Sequence, residues 1–179
     1  MTSSDATALS ADAVDAAAAK VGTSYDGDGR ACGGRVAVVC AKFNGGITER
    51  LLDGVLVGLE KHGVAPGSVS VAWVPGAFEL PLAALRLAGS GDVDAVIALG
   101  AVIRGETAHF DFVAGQCASG LQRAALDTGV PVVFGVLTTD TVEQALARSG
   151  EGDTNKGYEA ARSALEMANL LGKLPAPVR

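Results

Sequence analysis

Two histidines stand in this 179-residue chain, His62 and His109, and they keep different company. His109 follows the peptide Gly105-Glu106-Thr107-Ala108, which leads out of an apolar run and into an amphipathic one. Where such a loop enters a helix, backbone N–H groups lack partners and the helix dipole favours an anion. A histidine there is suited to exchanging protons near neutrality, since its ordinary pKa is ~6.5. The plainer readings are that Thr107 only caps the helix and that His109 is a surface residue at its start; the residues alone leave both open. Glu79, behind Gly76-Ala77-Phe78, either complements a helix start or accepts hydrogen bonds from a ligand's hydroxyl or amine groups. Phe43, in the glycine-flanked Lys42-Phe43-Asn44-Gly45-Gly46, has little local core to join and could stack on a flat ring. Arg148 and Lys156 flank the polar stretch 149–155, as solvated charges or as a phosphate clamp. His62, in Glu60-Lys61-His62-Gly63, stands at a helix C-terminus and serves its dipole.

Charge and cysteine usage narrow the partners. The formal net charge is −6 and the isoelectric point is near 4.8. Such a field argues against nucleic acid or an anionic membrane. A phosphate-bearing ligand must therefore be held by local groups. Cys32, Cys40 and Cys117 form no C-x-x-C pair, and with only two histidines a metal site is not expected. An odd count without pairing fits a reducing compartment. The N-terminal residues include acids instead of a basic leader, and no apolar run approaches the ~20 residues that span a bilayer. The expectation is a cytoplasmic protein with no membrane partner.

These residues need a scaffold. Hydrophobic residues make up 49% of the chain, charged residues 19% and aromatics only 4%. A core of Val, Leu, Ile and Ala suits a parallel sheet covered by helices. Four β-branched runs read as buried strands: 35–40, 68–74, 95–99 and 132–136. Helical spacing of Ile47, Leu51, Val55, Leu56 and Leu59 marks a helix ended by Gly63. Further helices are expected over 80–87, over 112–126, from a capping-box-like start at Asp140-Thr141-Val142-Glu143, and over 158–171. Short alternating connections imply right-handed crossovers and one doubly wound, flavodoxin-like α/β sandwich with a four-stranded parallel sheet as its core. Ligands bind outside the carboxyl ends of such strands, and the Phe43, Glu79 and His109 peptides each follow a strand, as Leu137-Thr138-Thr139-Asp140 follows the fourth. Residues 1–33 read as a flexible extension, with 10–21 a weak helix on alanine propensity, and residues 34–179 as the domain. The alternative for the extension is ordering against a neighbouring subunit.

Four peptides carry a resemblance. Residues 76–84 (GAFELPLAA), 98–111 (ALGAVIRGETAHFD), 131–145 (PVVFGVLTTDTVEQA) and 155–161 (NKGYEAA) closely resemble the lumazine synthases, in order, over about Gly34 to Leu171. The resemblance implies that Phe43 stacks on a pyrimidine and that Ala77, Phe78 and Glu79 cradle a ribityl chain. Ala101, Val102 and Ile103 would meet the ring edge. Gly105, Glu106 and Thr107 would hold a ketose phosphate with help from Arg148. His109 would donate the proton, and Phe134 would close the pocket of an adjacent subunit with Lys156 close by. The two substrates would be 5-amino-6-(D-ribitylamino)uracil and 3,4-dihydroxy-2-butanone 4-phosphate, with no metal and no cofactor required. Lys42, Gly45-Gly46 and Ala108 depart from the commonest family wording. The resemblance also implies a homo-oligomer built on a five-fold ring. The Arg148-to-Lys156 spacing is the short one usual among shell-forming members of that family, so the resemblance further implies closure into an icosahedral shell. A non-catalytic ligand-binding or shell protein of the same fold would be expected to have lost His109 or Arg148, and both are present.

Overall fold

The computed structural model describes residues 9–30, 34–152 and 154–175. Its sheet holds four parallel strands, β1 (Val36–Ala41), β2 (Val69–Val74), β3 (Ala95–Ile103) and β4 (Val132–Thr139), in the order β2-β1-β3-β4. This is the flavodoxin-like order expected from the alternation of elements, and its strand order reverses between β1 and β3. The two central strands are apolar throughout because both their faces are covered. Every residue of β1 is buried, and so is all of β3 except Ile103. The edge strands mix buried and exposed positions.

One face of the sheet packs Val38, Ile97 and Leu99 against α2 (Gly45–Lys61) and α6 (Lys156–Lys173). The other packs Val39, Val96 and Ala98 against α3 (Leu80–Ala88) and α4 (His109–Thr128). A short α5 (Val142–Arg148) joins β4 to α6. Two glycines let α2 and α6 lie close together. A Cβ on Gly58 would stand 2.9 Å from that of Ala161, and one on Gly157 would overlap the Leu51 carbonyl. The α6 N-cap, Asn155, locks this crossing. Its side chain donates to the carbonyls of Arg50 (3.0 Å) and Gly150 (2.8 Å) and accepts from the Gly157 amide (2.7 Å).

Several boundaries differ from expectation. Strands β3 and β4 run on to Ile103 and Thr139, because their ladder continues from Gly100↔Val136 to Ile103↔Thr139. Helix α4 begins at His109 instead of Phe112. Helix α5 is capped by Thr141, whose side chain accepts from the Gln144 amide, while the Asp140 carboxylate is drawn to Arg104. Helix α6 starts two residues early, on the Asn155 cap. His62 sits at the α2 C-cap, its Nδ1 2.7 Å from the Gly58 carbonyl.

Within the extension, α1 (Ala11–Ala18) is capped by Ser10 and buries none of its residues. Its last part lies along α6: Asn169 donates to the carbonyls of Asp28 and Arg30, and Lys173 to that of Asp26. Residues 1–8 and 31–33, with Cys32, and Asp153 in the α5–α6 loop lie outside the described residues. Among the described residues no helix is long and apolar enough to cross a membrane.

Candidate active site

A cavity of about 260 Å³ opens where the strand order reverses. Its lining gathers Phe43, Ala77, Ala101, Val102, Ile103, Gly105, Thr107 and His109, eight of the fourteen residues expected to form the site. The loop after β1 is tied down on both sides. The Lys42 and Phe43 amides donate to the carbonyls of Val74 and Pro75, and the Asn44 side chain donates to that of Ala101 at 2.9 Å. Asn44 holds a left-handed backbone, φ 57°, which turns the chain sharply into α2. The turn leaves Phe43 72% exposed over the cavity, and no core contact accounts for that placement. Asn44, Phe110 and Val113 complete the lining. The side-chain amide of Asn44 was the signal for its part, since asparagine tolerates positive φ and can bridge to a neighbouring strand.

His109 is the first residue of α4 and is exposed. Its amide lies 3.4 Å from the Thr107 hydroxyl, a long contact, and the N-cap is Ala108, which offers no side-chain cap. Among the described residues the Gly105, Glu106 and Thr107 amides make no hydrogen bond to protein. Unpaired donors at the start of a 20-residue helix form an anion-binding environment.

Arg104, just before this loop, received no role from the sequence. Its Nε donates to Asp140 at 2.9 Å and an Nη to Asp111 at 3.2 Å, and the guanidinium lies 4.1 Å from the Phe110 ring centroid. The hydrogen bond to Asp140, then that to Asp111, pushes its already high pKa higher still. Its positive charge is spent on these two acids. Among the described residues no Lys or Arg lines the cavity.

Six expected residues lie outside that lining. Phe78 is 58% exposed. Glu79 folds back so that its Oε2 accepts from the Gly76 amide at 2.9 Å, which fits the helix-start reading, and the residue is exposed. Glu106 is exposed on the loop. The remaining three, Phe134, Arg148 and Lys156, line a second cleft of about 310 Å³ beside the edge strand β4, together with Glu159 and Ser163. The two clefts share no lining residue. In the second, Lys156 is clasped by both oxygens of Glu159 at 2.7 Å, and Arg148 donates to the Gln144 carbonyl at 3.1 Å. Among the described residues Arg148 makes no ion pair. Glu143, at the α5 start, is held below the usual carboxylate range by its own backbone amide and the Thr141 hydroxyl.

Two features are set aside from the chemistry. A crevice of about 370 Å³ between α2 and the 149–152 loop, lined by Arg50, Asp53 and Tyr158, contains none of the expected residues. Burial pushes the Cys40 thiol up to about 12 and the Cys117 thiol to about 11, so both are core packing and not nucleophiles.

Phe43, His109 and the loop that carries Gly105 and Thr107 thus converge on one cavity, while Arg148 and Lys156 line another. A comparison with known families agrees with the peptides that build both. The model of the 6,7-dimethyl-8-ribityllumazine synthase family matches residues 33–172, which span β1 to α6. Membership implies a transferase of the riboflavin pathway and an oligomeric assembly. The chain belongs to the 6,7-dimethyl-8-ribityllumazine synthase family.

Proposed function

We propose that the protein condenses 5-amino-6-(D-ribitylamino)uracil with 3,4-dihydroxy-2-butanone 4-phosphate to give 6,7-dimethyl-8-ribityllumazine. The observation that carries this reading is the β1/β3 cavity, where Phe43 and the apolar wall of Ala101, Val102 and Ile103 face His109 and the 105–107 amides. A planar pyrimidine lies against Phe43 and Val102. Its ribityl chain runs towards Ala77, Phe78 and Glu79. The ketose phosphate rests on Gly105, Glu106 and Thr107. The aromatic amine adds to the ketone and water leaves, forming an imine. Loss of the C3 proton expels the phosphate from C4, the resulting enol tautomerises to a new ketone at C3, and the ribityl-bearing nitrogen closes the ring on that carbonyl, losing a second water. These steps require a proton carrier, a fixed approach of two substrates and a seat for phosphate, which are the groups gathered here. The residues call for no metal and no redox cofactor.

The phosphate also needs a cation, and the cavity offers none of its own. Arg148 and Lys156 carry that charge, and Phe134 stands beside them. We assign these three to the cavity of an adjacent copy, so that each complete site is shared. The surface supports such an assembly. Val71, Trp73, Phe78, Leu82 and Leu85 are exposed along β2 and α3, while Phe112, Leu126 and Phe134 are exposed near β4 and α4. Different apolar patches on one chain make a head-to-tail contact, which closes into a ring. The ring is five-fold and closes further into an icosahedral shell, in the cytoplasm, with the two small molecules as its other partners.

The deciding experiment mixes purified protein with the two substrates and follows fluorescent lumazine, while light scattering reports the particle mass. Product at a protein-dependent rate from an assembly of five or a multiple of five is the expected result. Binding of the pyrimidine without product would leave a ligand-binding protein of the same fold.

A further inference from the structure

Arg104 belongs to neither cleft, yet it is bonded towards both. Its two acidic partners come from different elements: Asp111 from the first turn of α4, and Asp140 from the end of β4. Its amide donates to the Thr139 carbonyl at 2.9 Å, which fixes where its own backbone sits against β4. Its guanidinium covers Phe110, which lines the cavity next to His109. From Asp140 the chain of bonds continues. The Asp140 amide donates to the Gln144 side chain at 2.9 Å, and the Gln144 carbonyl accepts from Arg148 at 3.1 Å. A connected path thus runs from the helix start that carries His109, through Arg104, Asp140 and Gln144, to the arginine of the other cleft.

The chemistry of the path suits alignment better than stability. All its charged members are exposed, and exposed ion pairs add little to folding. Arginine's planar fork, by contrast, sets direction and distance at two acceptors at once, which a lysine's point charge does not. Both of its acceptors are already in the structure, so Arg104 has no need of substrate to complete its coordination.

We propose that Arg104 is a positioning residue, which holds the first turn of α4 and the start of α5 in register so that His109 and Arg148 each meet the reacting pair at the right place. The role rests on the condensation reaction and the shared site proposed above. It acts through Asp111 and Asp140 and does not touch substrate.

The experiment compares wild type with Arg104→Gln, Arg104→Lys, Asp140→Asn and the Arg104→Gln/Asp140→Asn double variant, all as full-length assemblies. For Arg104→Gln the turnover number should fall on the order of 10- to 100-fold, the scale of a misplaced reacting group. The KM for the pyrimidine should stay within about two-fold, because Phe43 and Val102 are untouched, and the melting temperature should stay near wild type. Arg104→Lys should recover part of the loss. Asp140→Asn should lose turnover similarly, and the double variant should be no worse than Arg104→Gln alone, as expected for groups acting in one chain. Wild-type turnover in Arg104→Gln, additive losses in the double variant, or full activity in Arg104→Lys would each overturn the role while leaving the reaction standing. If Arg104→Gln fails to assemble, Asp140→Asn and Arg104→Lys decide the matter by the same measures. A wild-type protein that forms no lumazine would overturn the reaction and this role together.

Discussion

The two clefts are built differently, and the contrast explains why one chain looks half finished. The β1/β3 cavity grows from strands that are buried almost end to end. The loop after β1 is pinned by backbone and Asn44 hydrogen bonds, the 105–107 amides are unpaired among the described residues, and Phe43 and His109 are exposed. The β4 cleft lies at the sheet edge, and its cations are occupied within their own chain: Lys156 by Glu159, Arg148 by the Gln144 carbonyl. On the proposed reading, the first is a seat that lacks charge and the second is charge that lacks a seat. A group kept on a weak local partner can be transferred to a phosphate at small cost, whereas an unpaired cation on a lone subunit would order less well.

The sharpest test of the first region is His109→Ala. Removing the proton carrier should lower turnover about 10²- to 10⁴-fold. Because His109 is exposed, circular dichroism and particle mass should match wild type. Unchanged turnover would show that the cavity positions substrates without proton transfer from this residue.

Next in size is Arg148→Ala, which tests the second region. A lost charge-assisted hydrogen bond costs ~1.5–3 kcal/mol, about 10- to 150-fold in affinity for the ketose phosphate. The pyrimidine should bind as before, since of the β4 cleft residues only Phe134, which this variant leaves intact, is placed beside its seat. Separate KM values for the two substrates check this. Equal weakening of both would mean that Arg148 does not serve the phosphate.

A smaller change is expected for Phe43→Ala. An aromatic stacking pair contributes ~0.5–1.5 kcal/mol beyond area, so pyrimidine affinity should fall about two- to twelve-fold. Phe43 is 72% exposed, so the unfolding midpoint in urea should not move. A stability loss without an affinity loss would return Phe43 to an ordinary packing role.

How far the sequence alone carried these regions follows the same contrast. The cavity was legible because its parts are local: β1 and β3 are unbroken apolar runs, and Phe43, Gly105, Thr107 and His109 follow them within a few residues. The clustering of cations in a separate cleft was not legible from spacing, because it depends on where β4 ends. The expected strand stopped at residue 136, and the pairing with β3 carries it to Thr139. That extension places Asp140 beside Arg104, two residues 36 apart in sequence. A capping-box pattern assigned the helix start to Asp140, yet the ion pair takes its carboxylate and Thr141 caps instead. Asn155 was equally hidden, since its three hydrogen bonds reach as far as Arg50.

The most direct way to break the comparison is complementation, where the expected signal is modest. His109→Ala leaves a subunit with a good β4 cleft and a disabled cavity; Arg148→Ala leaves the reverse. If each site takes its cavity from one copy and its arginine from the next, hybrid rings contain interfaces where an Arg148→Ala cavity meets the intact arginine of a His109→Ala neighbour. The head-to-tail geometry makes that pairing directional, so random mixing of equal amounts restores about a quarter of all sites. The two variants should be unfolded and reassembled together, then assayed at ketose phosphate well below its KM, where Arg148→Ala alone contributes little. Recovery to about a quarter of wild-type activity is expected, with no recovery when the separately assembled variants are merely combined. A co-assembled mixture no more active than the sum of its parts would place His109 and Arg148 in the service of the same chain. The 105–107 amides would then have to take their phosphate charge from within one subunit.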